Sequence, residues 1–426
     1  MANIAETIRN AWKIKDLRRR ILFTLAMLAL FRLGAFIPVP GVDPSAISKI
    51  VGEGGLLGIL NLFSGGTLLN FGLLSLGVLP YINASIILNL LQMVIPKLKE
   101  MAKEEGEGGR RKLAIWTRYL CVALGILESI FFLVYMQRSG VPLNPNNLLT
   151  EFAIVVTLTA GAMLTLWLGE EVTEKGIGNG VSLIIFIGIV ARILPGAIEA
   201  GRLIGVGEMP IPELILVLAI AVAIMAGVVV AYTAERKVPV QYAKRVVGRR
   251  MYGGQSTFIP LRLIQAGVLP IIFAQAVLMF PVTLAGFIPG LQGFAQLFYD
   301  STSWLYNTLL FFLIVFFTYF YTEISFNPHE LADNLQKYGG FVPGVRPGPP
   351  TATYFQRILN RITLPASVFL ATLAILPNFL MPILGIAGSR FLFGGTSMLI
   401  VIGVALETVK QIEAFMVMRH YEGFLR

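Results

Sequence analysis

Long apolar runs alternate with short polar stretches along the whole chain. Ten runs approach the ~20 mostly apolar residues that a helix needs to cross ~30 Å of hydrocarbon. They fall at about 21–37, 74–95, 113–136, 152–169, 181–199, 211–234, 263–285, 304–326, 362–384 and 397–418. Hydrocarbon holds no water to satisfy backbone amides, so spans this apolar are predicted to be helices. One block breaks the pattern. Residues 61–70 read NLFSGGTLLN, carrying Asn61, Ser64, Gly65, Gly66, Thr67 and Asn70 inside an otherwise membrane-like stretch. Two adjacent glycines disfavour an uninterrupted helix.

The basic residues decide whether that block crosses. Six lie in the N-terminal tail (Arg9, Lys13, Lys15, Arg18, Arg19, Arg20) and six in the loop 96–112. Seven more lie in 235–262 and four in 327–361. Positive charge stays cytoplasmic. Ten spans put all of these loops and both termini on that side. An eleventh span between 38 and 73 would invert everything after it. The block therefore reads as a re-entrant segment lining a cavity, where irregular backbone is tolerated at membrane depth. A loop lying in the headgroups is the alternative.

Composition sharpens the class. The chain is 56% hydrophobic and 14% charged, against ~25% charged for soluble domains. This is a polytopic membrane protein with no room for a large soluble domain. Cys121 is alone, so there is no internal disulfide, and with only two histidines (His329, His420), both outside the apolar runs, no metal site is expected. No cofactor is expected. The tail MANIAETIRNAWKIKDLRRR lacks a cleavage-site pattern and reads as a cytoplasmic segment.

Ten spans divide at 195–212, giving five and five, and an odd number per half inverts the second half. The predicted organisation is a tail (1–20), an N-terminal half (21–199), a C-terminal half (200–418) with cytoplasmic loops 235–262 and 327–361, and a second tail (419–426). The tip VPGVRPGPP is predicted to be stiff, presenting Arg346.

The chemistry is sparse. Walker, HExxH and G-x-S-x-G patterns are absent, so no nucleotide hydrolysis or hydrolase site is expected and the chain is not read as an enzyme. EKGIGNG (174–180) reads as a tight turn, with Asn179 and Ser182 available to cap the next helix. Glu128 and Glu407 lie within spans, where carboxylates often carry function. They keep a secondary solute transporter with inverted repeats open as an alternative. Isoleucines recur at helical spacing: Ile82 and Ile86, Ile185 and Ile189, then Leu269 with Ile272, and Ile400.

Several long motifs, in order, carry a resemblance: LFSGGTLLNFGLLSLGVLPYINASIILNLLQ, EKGIGNGVSLIIFIGIV, YAKRVVGRRMYGGQSTFIPLRLIQAGVLPIIFA, GGFVPGVRPGPPT and FGGTSMLIV. The chain resembles the SecY family, the channel subunits of the bacterial Sec translocon. The resemblance implies an all-α protein of two inverted five-helix halves around a central pore, with a plug helix at 56–70 that includes Phe63, Ser64, Gly65, Gly66 and Thr67. It implies a pore ring of Ile82, Ile86, Ile185, Ile189, Ile272 and Ile400, with Val401 or Val404 as alternatives to the last. A lateral gate would form between spans two and three and spans seven and eight, with Asn83, Asn89, Gln92 and Gln275 as its polar candidates. Lys244, Arg245, Arg249, Arg250 and Arg346 would bind a SecA motor or the ribosome. Further implied partners are SecE-type and SecG-type small subunits, signal peptides, nascent chains and membrane lipids. The implied function is protein translocation across the cytoplasmic membrane and lateral release of helices into it.

Overall fold

A computed structural model describes residues 12–42, 64, 67–68, 71–103, 106–138, 147–207, 210–242, 245–247, 250–252, 256–287, 303–383 and 394–423. Helix covers most of every predicted span among the described residues, although the second begins only at Leu79 and the seventh only at Leu269. The elements are α1 (Lys15–Gly34), α2 (Leu79–Val94), α3 (Pro96–Lys103), α4 (Gly106–Arg138), α5 (Leu148–Lys175), α6 (Gly180–Val190), α7 (Ile193–Val206) and α8 (Ile211–Thr233). Strands β1 (Glu235–Tyr242), β2 (Arg245–Val247), β3 (Arg250–Tyr252) and β4 (Ser256–Arg262) follow. The remainder is α9 (Leu269–Phe287), α10 (Trp304–Ser325), α11 (Pro328–Lys337), β5 (Gly340–Phe341), α12 (Pro349–Ile383) and α13 (Gly395–Gly423).

Among the described residues, six helical stretches are long and apolar enough to cross a membrane by themselves, and two shorter apolar helices begin at Leu79 and Leu269. The other two, α1 and α13, dilute their apolar runs with charge: Arg18, Arg19 and Arg20 in α1, and Lys410, Glu413 and Arg419 in α13. Large apolar side chains such as Phe152, Trp167, Ile215, Val222, Phe312 and Phe316 stand exposed along the spans. That is the expected face toward lipid.

Sequence expectation and structure part company in five places. The fifth span is broken: α6 ends at Val190 and α7 starts at Ile193. Pro195 explains it, since its nitrogen could not donate to residue 191 in a continuous helix but fits a new first turn. The dividing stretch 195–212, read as a loop, is helical through Val206. The loop 96–112 is likewise helical, in α3 and the start of α4. Finally, the two long basic loops are structured. An antiparallel sheet of order β4–β1–β5 pairs Val238 with Ile259 and Gln241 with Phe341. Val238, Val240, Leu261, Leu335, Val342 and Phe355 close a small separate core beneath it. The all-α description therefore holds for the spans, while the basic face adds β-structure. Pro349 and Pro350 open α12 rather than prolonging a stiff loop, because proline suits a first helical turn.

Local capping follows the sequence. Asn147 Oδ1 accepts from Thr150 N at 2.9 Å to start α5. Asn179 Oδ1 accepts from Ser182 N at 3.0 Å to start α6.

The excursion that follows α1 has a closed neck. Val39 N donates to Phe71 O at 3.0 Å, and Leu73 N donates to Ile37 O at 2.7 Å. Pro38 and Gly72 form the bridge between these bonds. The chain thus leaves this neck at Val39 and returns to it at Phe71. The neck is seated tightly: a Cβ on Gly161 of α5 would lie 1.8 Å from Leu73 O, so only glycine lets α5 approach the returning backbone.

Candidate functional site

The two halves meet at two junctions. At one, α9 packs against α2 and α4. At the other, α13 packs against α6. The helices α2, α6, α9 and α13 are also the ones that carry the recurring isoleucines. Ile82 (2% exposed), Ile86 (5%), Ile185 (1%), Ile189 (8%), Ile272 (2%) and Ile400 (3%) all turn inward. All six belong to one apolar cluster. Val404 is buried with them, while Val401 and Leu269 are partly buried at the margin of the cluster.

The returning end of the excursion joins that cluster. Leu68 and Phe71 are fully buried in it, and the Phe71 ring lies tilted against Phe132 of α4, with centroids 6.0 Å apart. Phe71 adopts φ +40°, a left-handed conformation rare for a bulky residue. Turns around it hold the polar groups of the segment internally. Thr67 Oγ1 donates within reach of both Ser64 O and Leu74 O, at 2.8 Å each, and Ser75 Oγ donates to Gly72 O at 2.6 Å. Ser64 and Thr67 are thereby buried without loss of hydrogen bonding. Phe63, Gly65 and Gly66, and most of the expected plug 56–70, lie outside the described residues.

The amide candidates for the seam separate by partner. Asn89 Nδ2 donates to Tyr321 Oη at 3.0 Å, linking α2 to α10 across the first junction. Asn83 Nδ2 instead donates to Glu128 Oε1 at 2.8 Å, inside the first half. Gln275 Nε2 donates to Thr396 Oγ1, inside the second half. Gln92 sits half-buried in the last turn of α2. Phe273, Phe317, Phe320 and Tyr321 form an edge-to-face aromatic stack behind the Asn89 contact. Sequence reasoning missed Tyr321 and Thr396. A tyrosine in the apolar run of α10 was the available signal, since a phenol in hydrocarbon needs a partner.

The Tyr321→Phe variant keeps the ring and removes the hydroxyl. At the ~0.6 kcal/mol average for side-chain hydrogen bonds inside membranes, the open seam should gain population roughly threefold. Distance measurements across α2 and α10 would show it, and an unchanged distribution would remove Asn89 from the seam.

The two carboxylates have different surroundings. Glu128 is buried, held by Asn83, and its Oε2 has no hydrogen-bond partner among the described residues. Glu407 is half-buried, close to where Gly267 turns at φ +63°. No hydrogen bond or ion pair joins the two among the described residues. Arg118, another charge within a span, pairs with Glu170 through two bonds of 3.1 and 2.9 Å.

On the basic face, Arg346 is exposed at the tip between β5 and α12. The tip is fixed by a turn bond from Val345 N to Val342 O, by Gly344 (φ +81°) and Gly348 (φ +94°), and by Thr351 Oγ1 donating to Arg346 O at 2.8 Å. Arg245 and Arg250 sit on the paired strands β2 and β3. Lys244 and Arg249 lie outside the described residues. No cluster of metal-ligating side chains exists among the described residues.

A helical membrane protein in two halves, with an apolar waist where they meet and a closed neck seated beside it, has the architecture of a gated pore. Comparison with known proteins supplies the family. The SecY family model matches residues 72–409. The chain is 46% identical over 438 residues to the protein translocase subunit SecY of Streptomyces scabiei, covering 98% of both. It superposes with a TM-score of 0.67 on a SecY channel whose plug domain is described as stabilising the closed state and maintaining a membrane seal, at 18% identity and over 93% of this chain and 92% of the other. It also superposes with a TM-score of 0.63 on Sec61 in a canine ribosome–channel complex, at 16% identity, over 93% and 92% of the two chains. The chain belongs to the SecY family.

Proposed function

We propose that the chain is the pore-forming subunit of a protein translocase. It conducts unfolded secretory polypeptides and releases membrane-protein helices sideways into lipid. One observation carries the reading: six isoleucines, contributed by both halves, are turned inward into one apolar cluster beside Leu68 and Phe71. Branched aliphatic side chains offer no fixed hydrogen-bond pattern. Such a ring can therefore seal around any passing residue and dewet when empty. A solute carrier needs the opposite, a few placed polar groups.

In this reading the halves are 21–199 and 200–418, and the segment 56–70, with Phe63, Ser64, Gly65, Gly66 and Thr67, is the stopper. The seam between α2 and α4 on one side and α9 and α10 on the other is the lateral gate. The basic face is cytoplasmic, with both termini there, in a bacterial inner membrane. A SecE-type subunit clamps the halves, and a SecG-type subunit associates with them. A SecA-type ATPase or the ribosome docks on Arg346 and the basic residues Lys244, Arg245, Arg249 and Arg250, and supplies the driving force that this chain does not generate. Basic loops suit ribosomal RNA, whose phosphates attract Lys and Arg in a salt-dependent way.

The test is reconstitution in vesicles with the small subunits, a SecA-type motor, ATP and an unfolded secretory precursor. Precursor protected from external protease is the expected result. A saturable solute flux driven by a proton gradient and abolished by Glu128→Gln or Glu407→Gln, with no protected precursor, would favour the transporter instead.

A further inference from the structure

A cavity of about 690 Å³ opens to the surface where α10, α11 and α12 meet. None of its lining residues belongs to the apolar waist. Arg357, Arg361 and Leu364 follow one another along one face of α12, with Tyr319 of α10 and His329 of α11 opposite. No carboxylate lines it. Glu323 of α10 and Glu330 of α11 are exposed and stand outside its walls.

The charge in this cavity is uncompensated. Arg357 and Arg361 are four residues apart on α12, where like charges repel. Both are exposed, and no hydrogen bond or ion pair takes either guanidinium among the described residues. Gln356 Nε2 donates to Asn360 Oδ1 at 3.2 Å, which leaves Asn360 Nδ2 to donate beside the arginines. A concave site that gathers cations and neutral donors, with no acid among them, is built for an anion.

The surroundings say which kind. The apolar run of α12 begins at about residue 362, so Arg361 stands at its edge. Past that edge the same face of α12 turns apolar, with Leu364 and Val368 exposed. From Arg361 to Val368 the helix rises ~10 Å. On α10 the stripe running back from Tyr319 is apolar too, and Phe316 and Phe312 are exposed along it. Cations at the top and two greasy walls below match an amphiphile. A free anion would leave those walls unused.

We propose that this cavity binds the headgroup of an anionic phospholipid from the leaflet on the basic face. Arg357 and Arg361 hold the phosphate, which a guanidinium fork contacts through paired hydrogen bonds. The acyl chains lie along Leu364, Val368, Phe312 and Phe316. A zwitterionic headgroup is disfavoured, because its amine finds no carboxylate there. The site rests on the membrane placement of the spans and does not require the pore to conduct.

The experiment uses the full chain with its small subunits, released from detergent in native mass spectrometry. The probes are phosphatidylglycerol and phosphatidylcholine. Wild type should retain one phosphatidylglycerol in preference to phosphatidylcholine. The double variant Arg357→Gln, Arg361→Gln should hold it roughly thirtyfold more weakly, from the roughly fivefold that each basic residue contributes beside an anionic membrane surface. The pair Arg236→Gln, Lys237→Gln removes the same charge from β1 and should bind like wild type. Equal retention by wild type and the Arg357, Arg361 variant overturns the site, as does equal weakening by the β1 pair. Displacement of the lipid by millimolar inorganic phosphate would assign the cavity to a free anion and overturn the lipid. Retention is read without translocation, so a failure of the channel reading leaves this result standing.

Discussion

The double variant Ile86→Asn, Ile185→Asn is expected to raise the resting ion conductance of reconstituted vesicles at least about tenfold, the factor that ~1.4 kcal/mol of lost barrier gives. These side chains come from α2 and α6 and are 5% and 1% exposed. An aliphatic constriction blocks ions because water leaves it and an ion cannot enter without its hydration shell. Two amides restore hydrogen bonding for water at that level, so the barrier falls without widening the passage. The pair Ile86→Val, Ile185→Val is the control. It costs ~0.5–1.5 kcal/mol of stability per site but keeps the surface apolar, so conductance should stay near wild type. Planar-bilayer recording separates the two. An asparagine variant as tight as wild type would mean that the seal lies elsewhere.

Arg346→Glu should cut motor-driven translocation roughly thirtyfold, the equivalent of the ~2 kcal/mol lost at an interface hot spot. The side chain is exposed, and its backbone is fixed by the two positive-φ glycines and the Thr351 hydroxyl. A fixed arginine loses little entropy on docking, and charge reversal adds repulsion from an acidic partner surface. The variant should insert and fold like wild type, because the small core under the tip does not include Arg346. Precursor-stimulated ATPase of the motor is the sharper readout, and Arg346→Lys should recover part of it. Full stimulation by the glutamate variant would detach the docking role from this tip.

Hydropathy exposed the spans because hydrocarbon imposes one rule on every residue that faces it. Charge bias then gave the even crossing parity, and the neck at Val39–Phe71 and Leu73–Ile37 shows its structural form. Inward-facing isoleucines were legible by helical spacing together with the family resemblance. The amides were not. Asn83, Asn89 and Gln275 look alike in sequence, and their roles depend on partners 45, 232 and 121 residues away. The sheet on the basic face was legible but passed over. Val238 and Val240 alternate with exposed neighbours in strand fashion, with basic residues beside them that read as loop. The Pro349–Pro350 pair misled in the opposite sense, since proline stiffens a tip and also begins a helix.

The closed neck has an evolutionary consequence. Because Ile37, Val39, Phe71 and Leu73 are stitched together, the ten crossings flanking residues 40–70 do not depend on what those residues are. The interval can lengthen, shorten or change composition among relatives without reorienting a single helix. A membrane protein built this way can treat that interval as a replaceable cassette while its wiring through the bilayer stays the same.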